Sequence, residues 1–219
     1  MQNHQINLPR KTKAKSFLHF KMNQKKVFIE IGTSNFNTLE VLAEQGWSGI
    51  FVEPDNWYLS RIKKFDHCLY DNSAILDFNG ETEFINYDAE WLSNNEVGDF
   101  MWKRGVGNTH PTINNMKLNP DWPTIKFNVQ VKTLNKLVEE YDVEQIDFLK
   151  IDIEGQDPKI LYAYDFCVRP SKIKMEIIHA NSYGINTTDF KNYMLKNNYS
   201  VYCEDDYDTQ DIWFFDNLK

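Results

Sequence analysis

The sequence predicts an α/β fold in which a mostly parallel sheet is covered by helices on both faces. Three observations lead to this prediction. The segment VFIEIGTSNFNT is an apolar, β-branched run that breaks off into small polar residues, as a buried parallel strand does when it delivers a loop to a ligand. Similar apolar runs alternate with helical segments through most of the chain. Two further apolar segments, separated by a short turn, close the chain and predict an antiparallel pair of strands.

The first half of the chain alternates strands with short helices. Its predicted elements are, in order, a strand from Val27, a helix from Leu39 that ends near Gly46, a strand from Gly49 to Glu53, a helix through Trp57 and Ile62, and a strand within HCLYDNSAI. Asn79-Gly80, which is followed by alternating apolar residues, predicts an appended β-hairpin. The stretch 89–126 has dispersed tryptophans and no lasting period, which indicates a long loop such as a lid.

The second half continues the alternation. Its predicted elements are a strand in FNVQV, a helix that starts near Thr133, a central strand in QIDFLKIDIEG, a helix in PKILYAYDF, a strand in KIKMEIIHAN, a helix in TDFKNYMLKNN, and the closing strands YSVYCED and DIWFFDN. Parallel strands present their carboxyl ends at one edge of a sheet, so we expect the ligand site at that edge.

Composition restricts the classes of function. At 219 residues the chain suits one domain with a sizeable core, and we expect a basic arm over residues 1–24 followed by a single domain over residues 25–219. The formal net charge of -8 argues against a nucleic-acid partner, because such affinity rests on lysine and arginine. Three cysteines without metal or disulfide spacing, and no apolar run of membrane-spanning length, predict a cytoplasmic protein with no membrane contact.

The turn after the first predicted strand suits a ligand without phosphates. Gly32 lets the backbone approach a ligand, and the N–H groups of Thr33, Ser34 and Asn35 follow at the start of a helix. The turn lacks the further glycines of the G-x-G-x-x-G dinucleotide motif and the lysine of a P-loop. A hydride-transferring oxidoreductase and a P-loop nucleotide-binding protein are therefore disfavoured.

An acidic residue, Glu53, ends the second strand about 20 residues beyond Gly32, where a carboxylate in such a fold accepts hydrogen bonds from ribose hydroxyls. An adenosine without a diphosphate fits this pattern, and S-adenosylmethionine is such a ligand, with an ammonium group that suits Glu30. The alternative for Glu30 is a buried acid satisfied by backbone N–H groups. Asn72 and Ser73 end the third strand where an amide and an N–H group could contact adenine, although Asn-Ser is also ordinary in turns.

The stretches VFIEIGTSNFNT, GIFVEP and VKTLNKLVEEYDVEQIDFLKIDIEGQDPKIL resemble the FkbM-type methyltransferases, a branch of the class I S-adenosylmethionine-dependent enzymes. The likeness spans roughly residues 27–178. It implies a Rossmann-like fold with a seven-stranded, mostly parallel sheet, an antiparallel last strand and helices on both faces. It also assigns Glu30 and Gly32 to the cofactor loop and Glu53 to the ribose. Members usually carry a further glycine after the asparagine of this turn, where this chain has Phe-Asn.

The resemblance places Asp152 and Glu154 at the end of the fourth strand of that sheet, beside the transferred methyl group. A carboxylate at the mouth of an apolar strand costs desolvation unless something uses it, so we expect Asp152 to orient the acceptor hydroxyl. Asp152 and Glu154 are also the candidate ligands of a divalent cation such as Mg²⁺, the alternative for Glu154 being a helix-entry residue. Lys150 shares strand parity with Asp152 and would contact the acceptor or pair with that acid. His179, at the end of the fifth strand, is the first choice for the base, the alternative being a histidine held by loop backbone.

The insertion over residues 88–126 is expected to select the acceptor. Trp102, Arg104 and His110 are its candidate substrate-binding residues, because a tryptophan ring stacks on sugar or aromatic rings and the other two side chains supply polar contacts. Packing within the loop is the alternative for the tryptophans of this segment.

Together with the resemblance, these residues predict a methyltransferase that uses S-adenosylmethionine to methylate a hydroxyl of a sugar, a glycan or a small natural product. The Asp/Asn-Pro-Pro-aromatic turn of many DNA amino-methylating enzymes is absent after the fourth strand, where IDIEGQDP stands. The alternative is a catalytically silent protein of the same fold that binds the cofactor or serves as a scaffold. The sequence indicates no particular oligomeric state.

Overall fold

The computed structural model describes residues 26–34, 38–95, 107–109, 122–203 and 211–219. Its largest element is a seven-stranded sheet. The strands of this sheet are β1 (Val27–Ile31), β2 (Ser48–Val52), β3 (Cys68–Asp71), β7 (Ile146–Ile151), β8 (Pro170–Glu176), β9 (Tyr199–Cys203) and β10 (Asp211–Asp216).

The strand order of this sheet is β3-β2-β1-β7-β8-β10-β9. The strand β10 runs antiparallel to both of its neighbours, whereas all the other neighbouring pairs in this sheet are parallel. The prediction of a mostly parallel sheet closed by an antiparallel pair is therefore confirmed. The order reverses at β1, which lies between β2 and β7, and a crevice is expected at the carboxyl ends of strands beside such a reversal.

Helices pack on both faces of this sheet. The described α-helices are α1 (Glu40–Glu44), α2 (Asn56–Leu59), α3 (Ala89–Asn94), α4 (Leu134–Glu140), α5 (Asp157–Tyr162) and α6 (Thr187–Lys196). Side chains alternate along a strand, so Ile29 and Ile31 are buried in one cluster with residues of α4, α5 and α6. Phe28 points the other way and is buried with residues of α1 and α2. Within the described ranges, no helix is both long and apolar enough to cross a membrane.

A second sheet contains the strands β4 (Ala74–Ile75), β5 (Gly80–Tyr87) and β6 (Thr124–Lys132), in the order β4-β6-β5. The hairpin predicted at Asn79-Gly80 is therefore wrong, because β6 lies between the two strands that the turn connects. The strand β4 has two residues and offers a short edge, whereas β6 pairs with β5 along all eight residues of β5. The Asn79 side chain instead accepts the N–H of Thr133, at 2.9 Å, before α4.

The stretch 89–126, predicted as a loop, contains α3 and the first residues of β6. Trp91 and Trp122 pack against the buried residues Tyr87 and Leu92. The packing alternative therefore applies to these two tryptophans. The second sheet contacts the main sheet through Ile153, which packs against the cores of both.

Candidate functional site

A cleft lies at the carboxyl ends of β1, β2 and β7, at the edge where the sequence predicts a ligand site. It encloses about 520 Å³ of empty space, including the part that is open to solvent. Three carboxylates line it, those of Glu53, Asp152 and Glu154, and no lysine or arginine belongs to its lining among the described residues. The lack of a lysine or arginine in the described lining disfavours a phosphate, and the three carboxyl groups offer acceptor oxygens to a ligand.

The loop after β1 is held against the end of β7, and this contact explains its glycine. Gly32 has a φ of +77°, and a Cβ built on it would lie 1.9 Å from the backbone oxygen of Asp152. Its N–H donates to the Val52 carbonyl at 3.0 Å. Thr33, the next residue, is fully buried, and its hydroxyl oxygen has no hydrogen-bond partner among the described residues. A glycine is therefore needed here because two loops approach each other, whether or not a ligand is bound.

Glu53 is buried at the end of β2 and is bound by backbone groups on both oxygens. Its Oε2 accepts the N–H of Ser34 and its Oε1 accepts the N–H of Asp55, each at 2.8 Å. Burial raises the pKa of Glu53 to about 7, and the two backbone hydrogen bonds oppose that shift only in part. Each carboxylate oxygen has two lone pairs, so acceptor capacity remains for hydroxyls in the cleft.

The two residues predicted to contact adenine have different surroundings. The amide of Asn72 donates to the carbonyls of Glu53 and Pro54, each at 2.9 Å. Asn72 is exposed and does not belong to the described lining of the cleft. Ser73 lines the cleft, and its hydroxyl donates to Asp71. Asn72 thus holds the end of β2, whereas Ser73 is the member of the pair that borders the empty space.

Lys150, on β7, is buried between Glu30 of the neighbouring strand β1 and Asp152, which follows β7. Its Nζ lies 3.2 Å from Glu30 Oε1 and 3.3 Å from Asp152 Oδ2. Burial alone would lower the pKa of Lys150, but the two carboxylates outweigh burial and raise it. Lys150 is therefore a cation in the folded protein. This agrees with the alternative predicted from the sequence, in which Lys150 pairs with Asp152. Asp152 itself is the more exposed partner and lines the cleft.

Glu30 is fully buried and lies outside the described lining of the cleft. Besides Lys150, its carboxylate accepts the N–H groups of Thr38 and Leu39 at 3.0 and 3.2 Å, and the Thr38 hydroxyl at 3.1 Å. This arrangement matches the alternative of a buried acid satisfied by backbone N–H groups. Contact between Glu30 and a cofactor stays a prediction.

Two glutamates and a histidine meet where β7 and β8 end. Glu154 lines the cleft, and its Oε2 lies 4.0 Å from Nε2 of His179, which is beyond hydrogen-bonding distance. Burial, together with nearby acids, raises the pKa of Glu154 to about 8 and that of Glu176 to about 9. Partial burial lowers the pKa of His179. The imidazole is therefore neutral near pH 7, but His179 lies outside the described lining of the cleft.

The turn that carries Glu154 is shaped by residues that the sequence analysis missed. The carboxylate of Asp157 accepts the N–H groups of Ile153 and Gly155 at 3.2 and 2.9 Å. Burial and the neighbouring Asp152 raise the pKa of Asp157 to about 7. All of these residues fall within the segment IDIEGQDP, whose acidic content is the signal that could have identified Asp157.

Gln156 connects this turn to the second sheet. Its Nε2 donates to Asn108 Oδ1 at 3.3 Å and to Thr109 Oγ1 at 3.2 Å. Asn108 in turn forms an antiparallel bridge with Ile85 of β5. The described segment 107–109 is thereby fixed to β5 and to the turn after β7, and it lines one side of the cleft.

The structure thus brings together some of the predicted site residues. Those in the lining of the cleft are Gly32, Ser34, Glu53, Ser73, Asp152 and Glu154. Those described outside the lining are Glu30, Thr33, Asn72, Lys150 and His179. Asn35, Trp102, Arg104 and His110 lie outside the described residues, and their roles stay predictions.

Comparison with known proteins gives one result. A family model described as the methyltransferase FkbM domain matches residues 23–201, which include every described strand and helix that borders the cleft. No curated protein and no solved structure matches the chain significantly.

Proposed function

Because the chain belongs to the FkbM methyltransferase family, we propose that it uses S-adenosylmethionine to methylate a hydroxyl of a sugar, a glycan or a small natural product. We further propose that its seven-stranded sheet is the Rossmann-like sheet of the class I enzymes. The observation that carries the proposal is the acidic cleft at the carboxyl ends of β1, β2 and β7, with Glu53 at the end of β2.

The residues of the cleft fit this cofactor. S-adenosylmethionine carries a sulfonium and an ammonium but no phosphate, and the described lining offers three carboxylates without a lysine or arginine. Glu53 has remaining lone pairs for ribose hydroxyls, and Ser73 borders the space beside it for the adenine. The N–H groups of Thr33 and Ser34 donate to the Val52 carbonyl and to Glu53, so the carboxylate of the methionine tail needs a donor other than these two. When bound, the cofactor supplies a methyl group that an acceptor oxygen displaces from sulfur, with the acceptor proton passing to a base.

Asp152 is the best-placed residue for the acceptor side. Its carboxylate lines the cleft and is about one-third exposed, so an incoming hydroxyl can reach it. The ammonium of Lys150, 3.3 Å away, holds one carboxylate oxygen and leaves the other for the hydroxyl. Asp152 therefore orients the acceptor and accepts its proton, and Lys150 acts as a positioning residue. His179 is the second candidate for the base. It would reach the acceptor hydroxyl through the space beside Glu154.

A polar group on the opposite side of the cleft supports a hydroxylated acceptor. Thr109 lines the cleft and is partly exposed, and its hydroxyl, which accepts from Gln156, can donate its own O–H to a sugar oxygen. Trp102, Arg104 and His110 are proposed to extend this acceptor surface.

The proposal is tested by methyl transfer. We would incubate the protein with methyl-labelled S-adenosylmethionine and a panel of monosaccharides, oligosaccharides and hydroxylated natural products, and follow both labelled product and S-adenosylhomocysteine. Asp152→Asn should lower turnover by about 100-fold or more, the usual contribution of a positioned general base, and should affect turnover far more than cofactor affinity. Glu83→Gln, an exposed acid on β5, is the matched control and should retain turnover. Cofactor binding with no transfer to any acceptor would favour the catalytically silent alternative.

A further inference from the structure

We propose that Glu154, Glu176 and His179 form a binding site for one divalent transition-metal ion at the edge of the cleft. One carboxylate oxygen from each glutamate and one imidazole nitrogen lie within 4.8 Å of one another. The three side chains come from two neighbouring segments, the turn after β7 and the end of β8. Nothing in the family match assigns a metal to this cluster.

The burial of Glu176 is an independent indication of a ligand. This residue is 9 % exposed, and its Oε2 has no hydrogen-bond partner within the part of the chain that the structure describes. A buried carboxylate oxygen without a donor costs free energy, so such groups normally bind a donor or a cation. A metal ion between the three side chains would satisfy this oxygen.

The geometry is close to that of a metal site. Metal–ligand distances of about 2.1 Å allow two ligands of one ion to lie up to about 4.2 Å apart. Oε2 of Glu154 and Nε2 of His179 are 4.0 Å apart, so this pair already lies in that range. Gly155, with a φ of +99°, permits the approach, because a Cβ on it would lie 2.6 Å from the Cβ of His179. Small rotations of the glutamate side chains would complete the site.

The donor set indicates the class of ion. Mg²⁺ and Ca²⁺ prefer oxygen ligands alone, whereas two carboxylates with one imidazole suit Mn²⁺, Fe²⁺ or Zn²⁺. Asp152 and Asp157 act electrostatically on both glutamates of the cluster, and Asp211 acts on Glu176. This set differs from the pair Asp152 and Glu154 that the sequence suggests, because Asp152 binds Lys150.

The position of the site gives the ion a role that rests on the proposed function. Glu154 belongs both to the cluster and to the lining of the cleft, so the ion would lie beside the acceptor side of the cleft. There it would lower the pKa of a bound acceptor hydroxyl. His179 would then serve as a ligand of the ion, and Asp152 alone would accept the proton.

The test measures the binding of Mn²⁺ alone, with neither cofactor nor acceptor present. Its result therefore does not depend on whether the protein transfers methyl groups. Electron paramagnetic resonance should show one saturable Mn²⁺ per chain, with nitrogen coupling from His179. Glu176→Gln and His179→Gln should each weaken binding by about tenfold or more, and the second should also remove the nitrogen coupling. Glu83→Gln is the surface control and should bind Mn²⁺ as the wild type does. Circular dichroism would verify that each variant is folded, and His179, which is partly exposed, offers a variant that spares the core.

Three results would overturn the proposal. The first is the absence of saturable Mn²⁺ binding to the wild-type chain. The second is equal affinity of the wild type and both ligand variants. The third is that Asp152→Asn loses Mn²⁺ binding whereas Glu176→Gln keeps it. The ligands of the ion would then be Asp152 and Glu154.

Discussion

Replacing Glu53 by glutamine should change the way in which the stability of the protein depends on pH. Burial raises the pKa of Glu53 from an ordinary value of 4.5 to about 7, and unfolding restores the ordinary value. Between these two pH values the folded state holds a proton that the unfolded state has lost. The contribution of Glu53 to the free energy of unfolding is therefore fully present below pH 4.5 and is lost as the pH rises through 7. Glutamine does not titrate, so the variant lacks this contribution.

The magnitude follows from the shift. A rise in pKa from 4.5 to about 7 corresponds to about 3 kcal/mol, of which about 1 kcal/mol remains at pH 6 and almost none at pH 8. The free energy of unfolding of the wild type minus that of Glu53→Gln should thus be larger at pH 6 than at pH 8 by about 1 kcal/mol. Urea unfolding followed by circular dichroism at both pH values measures this difference. Other buried acids titrate in both proteins and cancel.

Glu83→Gln is the control for this experiment, because the Glu83 side chain is about half exposed and pairs with the equally exposed Lys126. Its effect on the free energy of unfolding should be small at both pH values. A wild-type minus Glu53→Gln difference that stays constant from pH 6 to pH 8, or grows over that range, would refute the argument. Glu53 would then be ionised in the folded protein throughout.

Two further variants test the packing around the cleft. Gly32→Ala should cost at least about 2 kcal/mol more of unfolding free energy than Gly184→Ala, because the added Cβ overlaps the backbone oxygen of Asp152. Gly184 has a similar φ of +72° and nothing within 4 Å of an added Cβ, so equal costs in urea unfolding would contradict the proposed contact. Lys150→Met should cost about 3–5 kcal/mol, since it leaves a buried carboxylate without its cation. Lys126→Met breaks an exposed ion pair and should cost less than about 1 kcal/mol, so similar costs for both lysines would argue against a buried pair.

The main sheet could be predicted from the sequence because its strands are apolar runs with clear ends. The pairing of the second sheet could not, because β5 finds its partner β6 about 40 residues later. The turn residues Asn79-Gly80 indicate a hairpin between β4 and β5. The pairing of β5 depends instead on strand length, because β6 offers β5 a longer edge than the two-residue strand β4 does. The sequence on either side of residues 96–106 contains no local pattern that indicates the pairing of β5 with β6.

Residues of the cleft were predictable where they end strands. Glu53 and Asp152 were identified as acids at the mouths of apolar runs, and both line the cleft. Glu176 ends the run KIKME in the same way and was missed, although the same reasoning applies to it. The partner of Glu30 could not be foreseen, because Lys150 is 120 residues away and becomes its neighbour only through the register of β1 and β7.

Calorimetric titration with S-adenosylmethionine and S-adenosylhomocysteine, with NADH as the control ligand, tests the central claim most directly. The wild type should bind one molecule of either adenosyl ligand per chain and should not bind NADH. Glu53→Ala should lower the affinity for both adenosyl ligands by roughly 10- to 150-fold, which is the contribution of a hydrogen bond to a charged group. Folded wild-type protein that binds neither ligand, or binding that Glu53→Ala leaves unchanged, would contradict the assignment of this cleft to the cofactor.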